Sequence, residues 1–237
     1  MDGDIHADNG NIQSLIPDTV AAANKYLITS AAGGSGGVAS YRPGRLVELG
    51  SGALDKLGHN WSYATTYQGP VTNYAYFESI LAADPAGLQD WDGELPTGDG
   101  VYFHDGDISL TDSWNVPSSR KLVFLVNGSL NLTKNITINN NGFAAFIVSG
   151  DININGSVEE LAGVYIANGI IDTGASAAAL QAEGVFVGWT GFNLVRNLGD
   201  TVNKTTPAEV FTYRPDLIIN AYQYLMKPHI FWQEVAP

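Results

Sequence analysis

Cysteine is absent from the 237 residues, which excludes disulfide bonds, thiolate metal sites and thiol nucleophiles. Basic residues are scarce: 11 Lys and Arg stand against 24 Asp and Glu, and the formal net charge is −13. A field of that sign repels phosphate backbones and anionic lipid headgroups, so we expect no nucleic-acid partner. No apolar run reaches the roughly 18 residues that cross a bilayer, so we expect no transmembrane segment.

Glycine and apolar residues are plentiful instead. The 27 glycines and 10 prolines punctuate a chain that is 45% hydrophobic and only 15% charged. This is the composition of an ordered, turn-rich β protein. The abundance of Asn, Thr, Ser and Gly, together with few Lys, indicates a bacterial protein that works outside the cell or on its surface.

Four segments share one pattern around a central glycine. The glycines are Gly106, Gly128, Gly150 and Gly169, so two equal steps are followed by a step that is three residues shorter. The second and fourth positions after each glycine are mostly apolar, as in Leu130 and Leu132, and the positions between them are mostly Asp, Ser or Asn. This alternation predicts strands. About 22 residues suffice for three short strands and three corners, which make one coil of a parallel β-helix.

We therefore predict an all-β protein with a few short helices, built as a parallel β-helix (β-solenoid) of about 22 residues per coil and capped at both ends. Antiparallel hairpins are the alternative, because Asn-Gly and Ser-Gly also favour tight turns. A glycine at each corner fits a residue with positive φ. The short last step indicates a corner shortened near residues 157–161, and a fifth copy centred on Gly191 has its apolar pattern shifted by one.

The chain is predicted to form one structural domain in three parts. Residues 1–100 supply N-terminal coils or a cap, residues 101–198 the regular coils, and residues 199–237 a C-terminal cap. The strand before each glycine is apolar on both sides, so its outward stripe needs a cover. A partner protein is one candidate cover, and a helix near residues 71–84 is the other, because its apolar residues follow helical spacing.

Two features together carry a resemblance. One is the coil type Val126-Asn-Gly-Ser-Leu-Asn-Leu132, and the other is a tail with Thr206-Pro-Ala-Glu-Val-Phe211, Tyr213-Arg-Pro-Asp216 and Trp232-Gln-Glu-Val-Ala-Pro237. The chain resembles uncharacterised surface proteins of candidate bacterial phyla, which often carry a pilin-like (PilX-type) amino-terminal segment. The resemblance implies an extracellular, pilus- or envelope-associated role and supplies no catalytic residues. The pilin-like segment is not among the 237 residues.

These observations favour a structural or adhesive module, without a cofactor, that binds a glycan, a cell-surface or pilus component, or its own copies. Aromatic rings that can stack on sugars are the candidate ligand-binding residues. They are Trp61, Tyr63, Tyr67, Trp91 and Trp114. Packing inside a cap is the alternative role for the same residues. A third hypothesis is an ice- or crystal-binding face, for which only Thr133 and Thr137 lie near one face.

The alternative from another functional class is a polysaccharide-active enzyme, a glycoside hydrolase or lyase, with the carboxylates of Asp105, Asp107 and Asp151 as catalytic groups. Asp107 and Asp151 occupy equivalent positions two coils apart, about 10 Å, with Ser129 between them. This distance is long for an inverting pair. Turn capping is the structural explanation for the same carboxylates.

Two further motifs are weaker. The segment Gly33-Gly-Ser-Gly-Gly37 matches the nucleophile motif of serine hydrolases, with His59 or His104 as the base, but no strand before it or helix after it is evident. Acidic residues crowd one loop beside Trp91 and are candidate calcium ligands, with a solvated loop as the alternative. These residues are Asp90, Asp92, Glu94 and Asp99.

Overall fold

The computed structural model describes residues 5–7, 12–14, 38–41, 47–49, 62–64, 72–82, 84, 86–199, 201–203, 206–223 and 225. Nineteen strands and two short helices lie within them. All strand pairs in these residues are parallel. The predicted parallel β-solenoid is therefore confirmed, and the antiparallel alternative is wrong.

The strands form three faces. In spatial order, the first face contains β5 (Ser62–Ala64), β3 (Val38–Tyr41), β1 (Ile5–Ala7), β17 (Leu180–Gly188), β15 (Glu160–Ala167), β13 (Phe143–Val148), β10 (Lys121–Asn127), β7 (Gly100–Asp105) and β6 (Leu88–Asp90). The second face contains β4 (Val47–Leu49), β2 (Ile12–Ser14), β18 (Gly191–Leu194), β16 (Ile170–Asp172), β14 (Ile152–Ile154), β11 (Leu130–Leu132) and β8 (Ile108–Leu110). The third face contains β9 (Trp114–Val116), β12 (Ile136–Ile138), the first parts of β15 and β17, and β19 (Glu209–Thr212).

The repeat glycines stack on one another, but for a different reason from the one predicted. Gly150 donates its backbone N–H to the carbonyl oxygen of Gly128 at 2.8 Å, and Gly169 donates to that of Gly150 at 2.9 Å. Of the four, only Gly106 has a positive φ, at 107°. The other three are glycine because the backbones approach too closely for a side chain: a Cβ at Gly128 would overlap the backbone of Gly106.

The short step from Gly150 to Gly169 combines two changes rather than one shortened corner. Leu132 pairs with Ile154 at the regular spacing, but Ile136 pairs with Leu161, which lies three residues beyond the regular partner position. The corner at residues 155–160 is thus three residues longer, and the prediction of a shortened corner there is wrong. The shortening comes next, where β15 runs from the third face into the first through Gly163, which has a φ of 142°.

The fifth copy of the repeat is present and begins one residue earlier than predicted. Thr190, not Gly191, donates its backbone N–H to the carbonyl oxygen of Gly169, and Gly191 pairs with Ile170. This one-residue difference accounts for the shifted apolar pattern. Beyond this coil the solenoid continues with the N-terminal strands, because β1 pairs with β17 and β2 pairs with β18. The coils therefore do not stack in chain order.

The core of the solenoid is a column of aromatic rings. One ring from each consecutive first-face strand stacks on the next, with centroids 4.8–5.7 Å apart and interplanar angles of 9–29°. The rings belong to Tyr102, Phe124, Phe146, Tyr165 and Phe186. Offset stacking at this separation adds to the free energy gained by burial. The aliphatic residues of the second face close the core from the other side.

A helix, α1 (Tyr74–Leu81), lies against β13 on the outer side of the first face. The side chain of Asn73 caps it by accepting the backbone N–H of Tyr76 at 3.1 Å. On the first face, Leu125 and Ile147 are fully buried, and α1 contacts the strand that carries Ile147. That this helix covers the outward stripe stays a prediction. The second helix, α2 (Pro215–Ile219), follows β19. No helix in the described residues is long and apolar enough to cross a bilayer. The three-part division of the chain stays a prediction.

Candidate functional site

A ladder of polar side chains runs along the outside of the second face. Asn153 Nδ2 donates to Asn131 Oδ1 at 3.0 Å, and Asn131 Nδ2 donates to Ser109 Oγ at 3.3 Å. One break follows, and then Asn193 Nδ2 donates to Asp172 Oδ2 at 3.2 Å. These side chains occupy one register position in consecutive coils. Neighbours along the ladder are therefore about 4.8 Å apart.

The ladder keeps part of its hydrogen-bonding capacity for a ligand. A side-chain amide has two N–H donors and an oxygen with two lone pairs. The bond between Asn131 and Asn153 uses one donor of one amide and one lone pair of the other. Asn131 Nδ2 also donates to the carbonyl oxygen of Ile108 at 3.4 Å, whereas no hydrogen bond in the described residues uses Asn153 Oδ1. The face therefore keeps unused hydrogen-bonding capacity, and the ladder bonds hold the side chains in place.

A shallow, open groove of about 330 Å³ lies beside this ladder. Its polar lining comes from the ladder and from the corners that follow β11, β14 and β16, and it contains no charged and no aromatic side chain. The lining residues are Asn131, Leu132, Thr133, Asn153, Ile154, Asn155, Gly156, Gly174 and Ala175. The lengthened corner at residues 155–160 contributes Asn155 and Gly156 to the groove, and Gly174 packs against this corner so closely that a Cβ would overlap the carbonyl oxygen of Ile154.

A buried arginine supports two of the three corners that line the groove, those after β14 and β16. Arg196 is only 1% exposed, and its guanidinium donates to the backbone carbonyl oxygens of Asn155 at 3.3 Å, Thr173 at 3.0 Å and Ala178 at 3.2 Å. These carbonyls belong to corners that no longer follow the regular register. Burial lowers the pKa of the Arg196 guanidinium from its ordinary value.

The Glu209 side chain carries a negative charge near the positive charge of Arg196. Glu209 Oε1 accepts the backbone N–H of Arg196 at 2.9 Å and the hydroxyl of Thr173 at 2.9 Å. Burial raises the pKa of Glu209, although the bonds from Arg196 and Thr173 act in the opposite direction. The pair joins β19 to the corner after β18, so the C-terminal segment and the groove share one polar network.

The three predicted catalytic carboxylates each brace the next coil. Asp105 Oδ1 accepts from Asn127 Nδ2 at 2.8 Å, Asp107 Oδ1 accepts the backbone N–H of Ser129 at 2.7 Å, and Asp151 Oδ1 accepts that of Ile170 at 2.7 Å. Asp107 and Asp151 lie two coils apart with Ser129 between them, as predicted. These hydrogen bonds join neighbouring coils and do not cap a local turn, and none of the three carboxylates lines the groove. A catalytic role for them stays a prediction.

The acidic loop does not assemble the predicted calcium site. Asp92 Oδ1 accepts the backbone N–H of Glu94 at 3.2 Å, and Asp99 Oδ1 accepts that of Lys121 at 3.2 Å and lies 3.6 Å from Arg120 Nε. In the described part of the chain, which includes Asp90 and these three acids, no three acidic or histidine side chains come together as a metal site. The carboxylate of Asp92 instead accepts a hydrogen bond within the loop, and that of Asp99 accepts one from the next coil.

Two of the five predicted ligand-binding aromatics are buried. Trp91 and Trp114 are 5% and 4% exposed, and their rings pack edge-to-face with centroids 5.9 Å apart. No sugar can reach them, so the prediction is wrong for this pair, because the rings close the end of the core. Trp61 and Tyr67 lie outside the described residues, and so does the side chain of Tyr63 on β5.

The serine-hydrolase motif also lies largely outside the described residues. Residues 33–37 and His59 all lie outside them, and β3 begins directly after the motif at Val38. His104 on β7 is described, and its Nδ1 lies 2.9 Å from the carbonyl oxygen of Trp91. This contact places the ring at the capped end of the core.

Sequence reasoning did not find the groove or its support. The Asn residues of the ladder were visible as the polar positions of the repeat, but nothing marked Asn155 and Gly174 as neighbours. Arg196 follows an apolar strand without a motif, so its burial had no signal in the sequence. A near-complete lack of arginine in the coils is the only hint, because Arg196 is the only one between Arg120 and Arg214.

No family model and no curated protein matches the sequence. Among solved structures, the chain is similar to the DUF3494 domain of an ice-binding protein from Shewanella frigidimarina. The TM-score is 0.51, the match covers 89% of this chain and 94% of that chain, and 14% of the residues are identical. At this identity the likeness shows the β-solenoid fold alone.

Proposed function

We propose that the protein is an extracellular adhesive module, carried on a bacterial surface or pilus, whose second face binds an ordered, hydroxyl-rich polysaccharide. The ladder through Ser109, Asn131 and Asn153 is the observation that carries this proposal. Sugar hydroxyls both donate and accept hydrogen bonds, as do the amides of the ladder. A rigid row repeating about every 4.8 Å forms many weak bonds to a regular surface at once.

Binding to insoluble polysaccharide tests this proposal directly. Purified protein is mixed with crystalline cellulose, chitin and peptidoglycan, and the fraction that sediments with each is measured. We expect retention on at least one polymer, lost in Asn193→Trp, because an indole on the ladder prevents close approach. Asn115→Trp is the matched control, since Asn115 is exposed on the third face. Equal retention of both variants, or retention of neither variant nor the parent chain, contradicts the proposal.

Ice binding is the second candidate, and the fold likeness to an ice-binding protein is what favours it. Asp172 stands in the ladder, and a carboxylate must lose tightly held water to contact ice, which costs free energy. Sugar hydroxyls can replace that water. A measurable thermal hysteresis that Asn193→Trp abolishes would replace the polysaccharide proposal with this one.

A further inference from the structure

The groove beside the ladder differs chemically from the flat face around it. Its side-chain polar groups are the amides of Asn131, Asn153 and Asn155 and the hydroxyl of Thr133, all of them neutral. Among the described residues no hydrogen bond uses Asn153 Oδ1 or Asn155 Nδ2. A neutral lining with free amide donors and acceptors favours an uncharged polyhydroxylated ligand over an anion or a cation.

The size of the groove limits what enters it. Its volume of about 330 Å³ is near the lower end of the roughly 300–1,000 Å³ of small-molecule pockets. One sugar ring fits such a space, whereas an extended chain has to leave it in both directions along the face.

The walls of the groove are fixed before a ligand arrives. Ser157 donates its backbone N–H to Asn155 Oδ1 at 3.0 Å and its hydroxyl to the carbonyl oxygen of Thr133 at 3.1 Å. Arg196 holds the carbonyls of Asn155 and Thr173 from below. A polar site held by such a network loses little conformational entropy on binding.

We infer that this groove binds a single uncharged sugar residue, through the amides of Asn153 and Asn155 and the hydroxyl of Thr133. The inference rests on the proposed adhesive function and refines it: the flat face supplies many weak bonds, and the groove recognises one residue of the polysaccharide. Arg196 is a positioning residue, since it supports the walls and does not line the groove.

Soluble sugars test the groove separately from the flat face. Cellotriose, tri-N-acetylchitotriose and maltotriose are titrated into the 15N-labelled protein, and chemical-shift changes are followed. We expect one of them to shift the backbone resonances of residues 153–156 and 174–175 in a saturable manner. Ala175→Trp, which places an indole in the groove, is expected to weaken that binding at least about tenfold.

Ala177→Trp is the matched control. Ala177 is exposed in the same corner and does not line the groove, so its indole has the same size and no effect on the sugar is expected. Equal binding by the two variants overturns the inference, as do resonance changes confined to other residues. If no trisaccharide binds while an insoluble polymer still retains the protein, the groove inference fails and the flat-face proposal stands. If neither is observed, both fail.

Discussion

The coils from Gly100 to Ile154 and those from Glu160 to Thr212 satisfy their backbone hydrogen bonds in different ways. In the first region each residue pairs with its equivalent one regular coil away, as Leu122 does with Ala144. In the second region the separation changes from corner to corner: it is three residues longer between Ile136 and Leu161 and one residue shorter between Ile171 and Phe192. In the regular coils the repeat alone satisfies the backbone hydrogen bonds, because each strand pairs with the equivalent strand of the next coil at a constant separation.

The irregular coils need a specific residue. In their corners the Arg196 guanidinium donates to three backbone carbonyl oxygens. Stability in the regular region is thus spread over many equivalent contacts, whereas in the irregular region it is concentrated in one buried charge. The same irregularity produces the groove, so the region that interrupts the repeat is where a specific site becomes possible.

Replacing the buried Arg196 should reduce the free energy of unfolding more than any other change to either region. Arg196→Met removes the guanidinium that donates to three backbone carbonyl oxygens and the positive charge near Glu209, and we expect the free energy of unfolding to fall by about 3–5 kcal/mol in urea denaturation. Arg214→Met is the control, since Arg214 pairs with the partly exposed Glu183 and Asp216 and should lose about 1 kcal/mol or less. Similar losses for the two variants would show that the irregular coils do not depend on Arg196.

The glycine column tests the regular coils. Gly128→Ala places a Cβ against the backbone of Gly106, so the two coils must separate, and we expect a loss of about 3 kcal/mol in the same measurement. Gly106→Ala meets no atom within 4 Å and has only its positive φ to overcome, so its loss should be smaller, about 1–2 kcal/mol. A larger loss at Gly106 would mean that backbone conformation, not close approach, selects glycine in the column.

The regular coils could be predicted because the physics of a solenoid repeats with the sequence. The alternation in Leu130-Asn-Leu132 and Ile152-Asn-Ile154 requires one side in the core and one in solvent, and equal spacing requires stacking. The apolar outward stripe likewise requires a cover, and its residues Leu125 and Ile147 are fully buried.

The irregular coils and the N-terminal coils could not be predicted in the same way. The step from Gly150 to Gly169 does not reveal that one corner gains three residues while the next loses six, because only the sum is visible in the spacing. The pairing of β1 with β17 joins strands that are far apart in the chain, and no local pattern encodes such a contact. The burial of Trp91 and Trp114 could not be predicted for a related reason: an aromatic residue outside the repeat pattern gives no sign of whether it packs in a core or faces solvent.

The smallest expected effect is a pH dependence that separates the two carboxylates at the irregular end. The Arg214 hydrogen bond lowers the pKa of Asp216, so its charged form is stabilising above the unfolded value of roughly 4 and that contribution is lost as the pH falls. Burial raises the pKa of Glu209, so its protonated form is stabilising at low pH and that contribution is lost as the pH rises above roughly 4.

Urea unfolding between pH 3 and pH 8 distinguishes the opposite pH dependences that Asp216 and Glu209 give to stability. Wild type is compared with Asp216→Asn and with Glu209→Gln. The advantage of wild type over Asp216→Asn should grow with pH to less than about 1 kcal/mol, because Asp216 is partly exposed. The difference in free energy of unfolding between wild type and Glu209→Gln should decrease as the pH rises over the same range. Lost hydrogen bonds add a constant to this difference and do not change its slope. Slopes of the same sign would mean that the charged form of Glu209 gains more from Arg196 and Thr173 than it loses by burial.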